Sequence, residues 1–422
     1  MLKPIFACAF ALLGLCSSAR VLALEELSPR GGLPNVHARL AAGEPVRVAF
    51  LGGSITAAQG WRVLVRDHLK SAYPKSPLTE IFAAIPGTDS AFGACRLGDQ
   101  VLVHSPDLLF VEFAVNDIGA DPARIRAAME GIVRQTWQAN PRTDIAFIYT
   151  LSQAQLPDLQ AGRPTATSRA MEDVASHYGI PSLQLGVEVA RLADAGQLLF
   201  KGATPGSNSD GRDATGRLVF SADGTHPLPA GHRLYFSVIE RALPCLLTGD
   251  AAPHALPAPL TPAPWDTATI LSVEKLKRTG DWAPLPSRDK RTAWQPANLT
   301  PPTWLATSPG SAAVFTFTGT AFGLAGLKTS DSGRFRVTVD DRPPVETLFF
   351  DAFCVDGHSR IATWWFPDAL PAGPHTVRIE LIDTPVDKTA ILASRAYTPK
   401  DPAAYAGLNL YLSGVLLPRT TL

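Results

Sequence analysis

Between Pro45 and about Leu247, short apolar runs alternate with amphipathic stretches. A chain with that rhythm has few ways to fold. Arg47–Leu51, Leu78–Ala84, Leu108–Phe113, Ile145–Leu151 and Pro181–Leu185 read as buried strands. Trp61–Tyr73, Phe92–His104, Pro122–Ala139, Ala166–Tyr178 and Leu228–Leu247 carry helical spacing, and Pro122 suits a first helical turn. Strands that alternate with helices predict βαβ units, a parallel sheet and helices on both of its faces. The fold class is therefore α/β, in three layers.

The rhythm stops at residues 251–264, where five prolines fall in fourteen positions with alanine between them. Such a segment is a semi-rigid linker. Beyond it the helical period is lost. Val314–Phe317, Phe335–Val339 and Thr376–Ile382 alternate apolar and polar residues, as half-buried strands do. Asp340-Asp341-Arg342-Pro343 and Pro371-Ala372-Gly373-Pro374 are turn chemistry. The predicted organisation is a signal peptide at 1–23, an α/β region at 24–250, a linker at 251–264 and a smaller all-β sandwich, jelly-roll-like, at 265–422.

Lys3, the apolar stretch Pro4–Cys16 and Val21-Leu22-Ala23 have the form of a cleavable export signal, which implies a secreted or periplasmic protein with no membrane span once the signal is removed. Cutting after Ala19 is a second option. Export leaves Cys95, Cys245 and Cys354, an odd number that allows one disulfide without choosing the pair. No spacing of Cys and His suggests a metal site. With 38 Lys+Arg against 38 Asp+Glu, the chain has no basic excess to displace counterions from nucleic acid. With 46% apolar and 18% charged residues it can bury a core.

Four segments carry chemistry, each at or after the C-terminal end of a predicted strand, where open α/β sheets place ligands. Gly52-Gly53-Ser54-Ile55-Thr56 turns sharply on glycine and exposes the Ser54 hydroxyl; a helix cap is the plainer reading of the same serine. In Asp223-Gly224-Thr225-His226, the three-residue spacing brings a carboxylate to one imidazole nitrogen and leaves the other to take a proton. Asn116, in Ala114-Val115-Asn116-Asp117, offers an amide donor, and Gly87, in Ile85-Pro86-Gly87-Thr88-Asp89, offers an unobstructed N–H. Taken singly, the last two are ordinary turns.

In this order the four segments resemble the four blocks of the SGNH hydrolases, the GDSL family of esterases and lipases. The resemblance covers roughly 46–247 and implies a flavodoxin-like α/β/α domain. It implies Ser54 as nucleophile, His226 as base and Asp223 as its orienting partner, with Ser54, Gly87 and Asn116 as the oxyanion hole and no metal or organic cofactor. Gly53 stands where many members carry Asp, Ile55 where many carry Leu, and Ala114 where Gly is usual.

Other residues are weaker candidates. Arg96 lies where it could touch substrate. Glu112 and Asp117 could form a carboxylate pair but are better read as satisfying nearby backbone or Arg groups. His232 reads as a helix-face residue, and His104 as capping a helix C-terminus. Strand alternation points Trp364 and Trp365 to opposite faces, so at most one is a sugar-stacking platform. A polar segment at 200–222, rich in Gly, Ser, Asn and Asp, leads into Asp223 and suits a sugar better than an acyl chain. The expected substrate is an acetylated carbohydrate. The alternatives are a short-chain lipase or thioesterase, and a non-catalytic carbohydrate-binding protein on the same scaffold. Whether the β region binds sugar or only buttresses its neighbour, and the oligomeric state, are open at this level.

Overall fold

In the computed structural model, the described residues are 24–206, 210–286, 289–299, 302–355 and 357–419, so the expected signal at 1–23 lies outside them. The first sheet is built from β1 (Leu27–Ser28), β2 (Val46–Gly52), β3 (Leu78–Ala84), β4 (Leu108–Glu112), β5 (Asp144–Tyr149) and β6 (Ser182–Gln184). Its order is β1-β6-β5-β4-β2-β3, parallel except where β1 meets β6. From β2 the chain moves outward to β3, then crosses back to β4 and proceeds the other way. The switch point therefore falls between β2 and β4, where a crevice opens beyond the strand ends.

Strand alternation divides the core into two faces. Val46, Val48 and Phe50 pack against α1 (Pro34–Ala42), α3 (Trp61–Ala72), α8 (Gly186–Asp194) and α9 (Pro229–Leu246). Ala49 and Leu51 point the opposite way, toward α4 (Ser90–Gln100), α5 (Pro122–Ala139) and α7 (Ala166–Tyr178). The one-turn helices α2 (Ser54–Ala57) and α6 (Leu156–Gln160) complete the set, and β7 (Leu198–Lys201) pairs with β8 (Leu218–Ser221) in a separate ribbon. The predicted helix Phe92–His104 begins earlier, because Asp89 caps it by accepting from Phe92 N–H at 2.9 Å. It ends at Gln100, and a 3₁₀ turn at Leu102–His104 follows.

The β region contains β9 (Thr269–Ser272), β10 (Lys277–Thr279), β11 (Ala283–Pro284), β12 (Trp304–Ala306), β13 (Ala312–Gly319), β14 (Gly323–Lys328), β15 (Arg334–Val339), β16 (Val345–Leu348), β17 (Arg360–Trp365), β18 (Gly373–Leu381) and β19 (Leu410–Leu417). They form two antiparallel sheets, β10-β13-β18-β15-β16 and β11-β12-β19-β14-β17, with β9 also on β19. Phe315, Phe335, Val337 and Ile379 of one sheet meet Leu324, Leu412 and Val415 of the other. The second sheet is buried on its outer face as well. Ala325, Leu327, Ile361, Tyr411 and Leu416 join the core that contains α4 and α5. All eight residues of β19 are buried, as the apolar run of a doubly covered strand requires.

The Pro-rich segment lies along the helices of the first region. His254 Nε2 sits 2.8 Å from Asp144 Oδ1, and the ring stacks on Trp137 at 4.7 Å. Arg134 donates to the Pro257 carbonyl at 2.9 Å. Glu130 accepts from the N–H groups of Leu260 at 2.5 Å and Thr261 at 2.8 Å. Trp265 then enters the shared core, where a Cβ on Gly131 of α5 would lie 2.5 Å from its carbonyl oxygen. Cys95, Cys245 and Cys354 are all free thiols, so among the described residues no disulfide joins the regions.

A clip in the β region gives a first prediction. His375 Nδ1 lies 2.7 Å from Asp340 Oδ2, and its Nε2 lies 2.8 Å from the Pro371 carbonyl. Only an imidazolium donates from both nitrogens. The hydrogen bond to Asp340 raises the ring above its ordinary pKa, against the effect of burial and with help from Pro371. The ring's contribution to stability is therefore complete below about pH 6.5 and is lost as pH rises through the higher folded value. Denaturation midpoints should fall as pH rises through that value, and Asp340→Asn should flatten the dependence.

Candidate active site

The three triad candidates meet at the crevice. Ser54 is the first residue of α2, directly after β2 and Gly53. Its Oγ lies 2.8 Å from His226 Nε2, and His226 Nδ1 lies 2.7 Å from Asp223 Oδ2. The loop after β8 holds the carboxylate in place. Asp223 Oδ1 accepts from the N–H groups of Thr225 and His226 at 2.8 Å each and from Ser221 Oγ at 3.0 Å. Gly224, at φ +88°, permits the turn, and its carbonyl accepts from Gln153 N–H at 2.8 Å. Burial disfavours the Asp223 anion, but the hydrogen bonds from the His226 ring and from the His226 and Thr225 N–H groups outweigh it. They hold the carboxyl well below the usual carboxylate range.

Asn116 lies beside this group. A Cβ on Gly53 would come within 2.0 Å of Asn116 Oδ1, so glycine is the residue that lets the carboxamide lie over the turn into Ser54. That close approach accounts for Gly53 in the motif. Gly87, in the loop between β3 and α4, has φ +73° with open space where a side chain would project.

Arg96 does not reach the crevice. It is 1% exposed and donates to the carbonyls of Ala83 at 2.6 Å and Gly52 at 3.3 Å, tying together the ends of β3 and β2. Its two terminal nitrogens are held by these carbonyls and by Gln100 Oε1 at 2.8 Å beneath the site, so it acts as a strut.

Two buried carboxylates support the loops. Glu112 accepts from Thr56 Oγ1 at 2.7 Å and from Thr150 Oγ1 at 2.6 Å. Burial pushes its carboxyl upward, against hydrogen bonds from Thr150, Thr56 and Gly53 N–H. Asp117 accepts from Ser90 N–H at 2.9 Å. Both acids are buried and bonded to backbone or hydroxyl groups, so they form no open carboxylate pair. Thr56 and Thr150 escape a sequence reading because their partner, Glu112, lies on another strand.

His232 is turned inward from α9, and its Nδ1 accepts from Trp61 N–H at 3.3 Å. Burial, with the nearby His226 charge, pushes the ring down to about 4, so it is neutral. Trp364 and Trp365 do face opposite ways. Trp364 meets Phe335 and Phe366 inside the sandwich, whereas Trp365 stands 5.1 Å from Trp265 on the side of the α/β region.

A cavity of about 400 Å³ borders Asp223, lined by Ser152, Gln153, Ala154, Gly224 and Thr225. A larger one, of about 1240 Å³, lies between α5, α7 and the β region and contains no triad candidate. The segment before Asp223 places the β7–β8 ribbon beside the site, although Ser207, Asn208 and Ser209 lie outside the described residues. Among the described residues, no group of three or more His, Cys, Asp or Glu side chains is arranged to hold a metal. No helix among them is long and apolar enough to cross a membrane.

Residues 50–234 match the model of the GDSL-like Lipase/Acylhydrolase family. No curated protein matches the chain in a sequence search. Among solved structures, the chain is similar to a two-domain esterase (CEX) active on acetylated mannans, co-crystallized with mannopentaose. The identity is 20%, the match covers 93% of this chain and 96% of that one, and the TM-score is 0.70. A second structure of a two-domain esterase (CEX) active on acetylated mannans gives 20% identity, 92% and 96% coverage and a TM-score of 0.71. At that identity the likeness establishes a shared fold across both regions.

Proposed function

We propose, from the match of residues 50–234 to the GDSL-like Lipase/Acylhydrolase family model, that the chain is a serine esterase removing O-acetyl groups from a polysaccharide. The observation that carries the reading is the unbroken relay Ser54 Oγ–His226 Nε2–Asp223, at 2.8 and 2.7 Å. His226 takes the Ser54 proton as Oγ attacks the ester carbonyl. Asp223 fixes the imidazole tautomer and stabilises the imidazolium. The N–H groups of Ser54 and Gly87 and the Asn116 amide receive the oxyanion. His226 then protonates the leaving sugar hydroxyl, and water repeats the cycle to release acetate.

The substrate class is supported by the two-domain likeness to an esterase active on acetylated mannans. The polar residues around Asp223 favour a hydrated glycan over a long acyl chain. An export signal at 1–23 would put the enzyme outside the cytoplasm, where such polymers are met.

The test is acetate release from acetylated mannan, xylan, pectin, xyloglucan and peptidoglycan. Release from at least one glucan, mannan or xylan type at rates above those on p-nitrophenyl acetate is expected. Preference for long-chain p-nitrophenyl esters would overturn the glycan reading and favour a lipase-type acylhydrolase.

Gly53 provides a separate prediction. A methyl group there displaces the Asn116 carboxamide, so Gly53→Ala should lower kcat by about 10²-fold, the scale of losing one oxyanion donor, with little change in KM. Steady-state kinetics of that variant read the effect directly.

A further inference from the structure

Behind the two proposed oxyanion loops, two carboxyl groups lie close enough for the charge of one to act on the other. Asp89 follows Gly87 by two residues and caps α4 through Phe92 N–H at 2.9 Å. Asp117 directly follows Asn116, is 1% exposed, and takes Ser90 N–H on Oδ1 at 2.9 Å. One side chain thus ties the loop carrying Gly87 to the loop carrying Asn116. Its other oxygen, Oδ2, is buried without a hydrogen-bond partner. An ionised carboxylate with an orphan oxygen beside a second carboxylate is unfavourable in such a place, and a proton on Oδ2 relieves both problems.

We propose that Asp117 is a positioning residue of the oxyanion hole and that it performs this role as the neutral acid. The inference rests on the esterase reading above. Burial, and then the charge of Asp89, push Asp117 up to about 7. The surrounding groups are few. Asp89 is itself pushed up by burial, against its bond from Phe92 N–H and the charges of Arg124 and Arg96; the Ser90 hydrogen bonds and Arg124 of α5 oppose the rise at Asp117, and the Cys95 thiol is pushed up by burial and by Asp89. Glu112 at the end of β4 is occupied by Thr56 and Thr150. Above neutrality the Asp117 proton leaves, and a negative charge appears between the loops on which the oxyanion builds. Turnover then slows as pH rises.

The test is kcat and KM on p-nitrophenyl acetate from pH 5 to 9, with Asp117→Asn and Asp117→Ala beside the parent. Asparagine keeps an oxygen for Ser90 N–H and never ionises. It should hold kcat at pH 6 within about threefold and lose the decline above about pH 7. Alanine cuts the tie and should lower kcat about tenfold or more with KM within about twofold. An alkaline decline retained in Asp117→Asn, or an alanine variant with parental kcat, would overturn the proposal. If the alanine variant does not fold, the asparagine profile decides alone. Titration of the Asp117 carboxyl carbon by ¹³C NMR needs no turnover. A midpoint near the ordinary value of about 4 refutes the neutral acid, whereas a parent protein with no esterase activity refutes the functional reading and leaves this titration legible.

Discussion

Replacing Asp223 with Asn should lower kcat by about 10⁴-fold while leaving the fold intact. The magnitude follows from what the carboxylate does. Asp223 Oδ2 accepts the hydrogen bond from His226 Nδ1–H at 2.7 Å, which leaves Nε2 free to accept from Ser54 at 2.8 Å. An amide at the same place offers an N–H to Nδ1, so the ring takes the opposite tautomer and Nε2 no longer accepts. The second oxygen serves the backbone of Thr225 and His226, and asparagine can still fill it. Retained melting behaviour with lost kcat is therefore the expected pair of results. A drop of less than tenfold would mean that His226 is oriented by something else.

The second large effect is on stability. Trp265→Ala should cost about 3–5 kcal/mol, as large-to-small changes of buried aromatics do. Trp265 is 8% exposed and packs on Trp365 at 5.1 Å, while its carbonyl accepts from Gln135 of α5 at 2.8 Å. It is the point at which the chain leaves the Pro-rich segment and enters the core shared by both regions. Because that core also contains Leu327, Ile361 and Tyr411 of the β region, both regions should unfold together in denaturant. Removing 265–422 should expose this surface and leave the rest insoluble or unfolded. Two separated transitions, with full esterase activity in the shortened chain, would show that the β region is only tethered.

Much of this was legible in the sequence. The five strands and the long helices follow from apolar period and Pro placement, because each is decided by local spacing. The Ser54, Asp223 and His226 group was legible because glycine, serine, carboxylate and imidazole fell at strand ends in a known order. Arg96 misled because a lone arginine after a loop glycine looks available to substrate; its burial depends on the carbonyls of Gly52 on β2 and Ala83 on β3. The helices Pro34–Ala42 and Gly186–Asp194 were missed, the second because nothing caps it and it follows a short strand directly. The Pro-rich segment read as a spacer because proline sets local stiffness. Its docking depends on Glu130, Arg134 and Asp144, which lie on α5 and β5. The run Leu410–Leu417 did carry a signal: eight residues with almost no polar alternation belong to a strand covered on both faces.

The central claim is that Ser54 is a nucleophile activated by His226, and covalent labelling tests it most directly. Purified protein treated with an organophosphonate ester should gain one adduct by intact mass, mapped by peptide sequencing to Ser54, with acetate release lost in step. Ser54→Ala should take up no label and should fall about 10⁶-fold in kcat. Labelling on another residue, or undiminished acetate release by Ser54→Ala, would contradict the account.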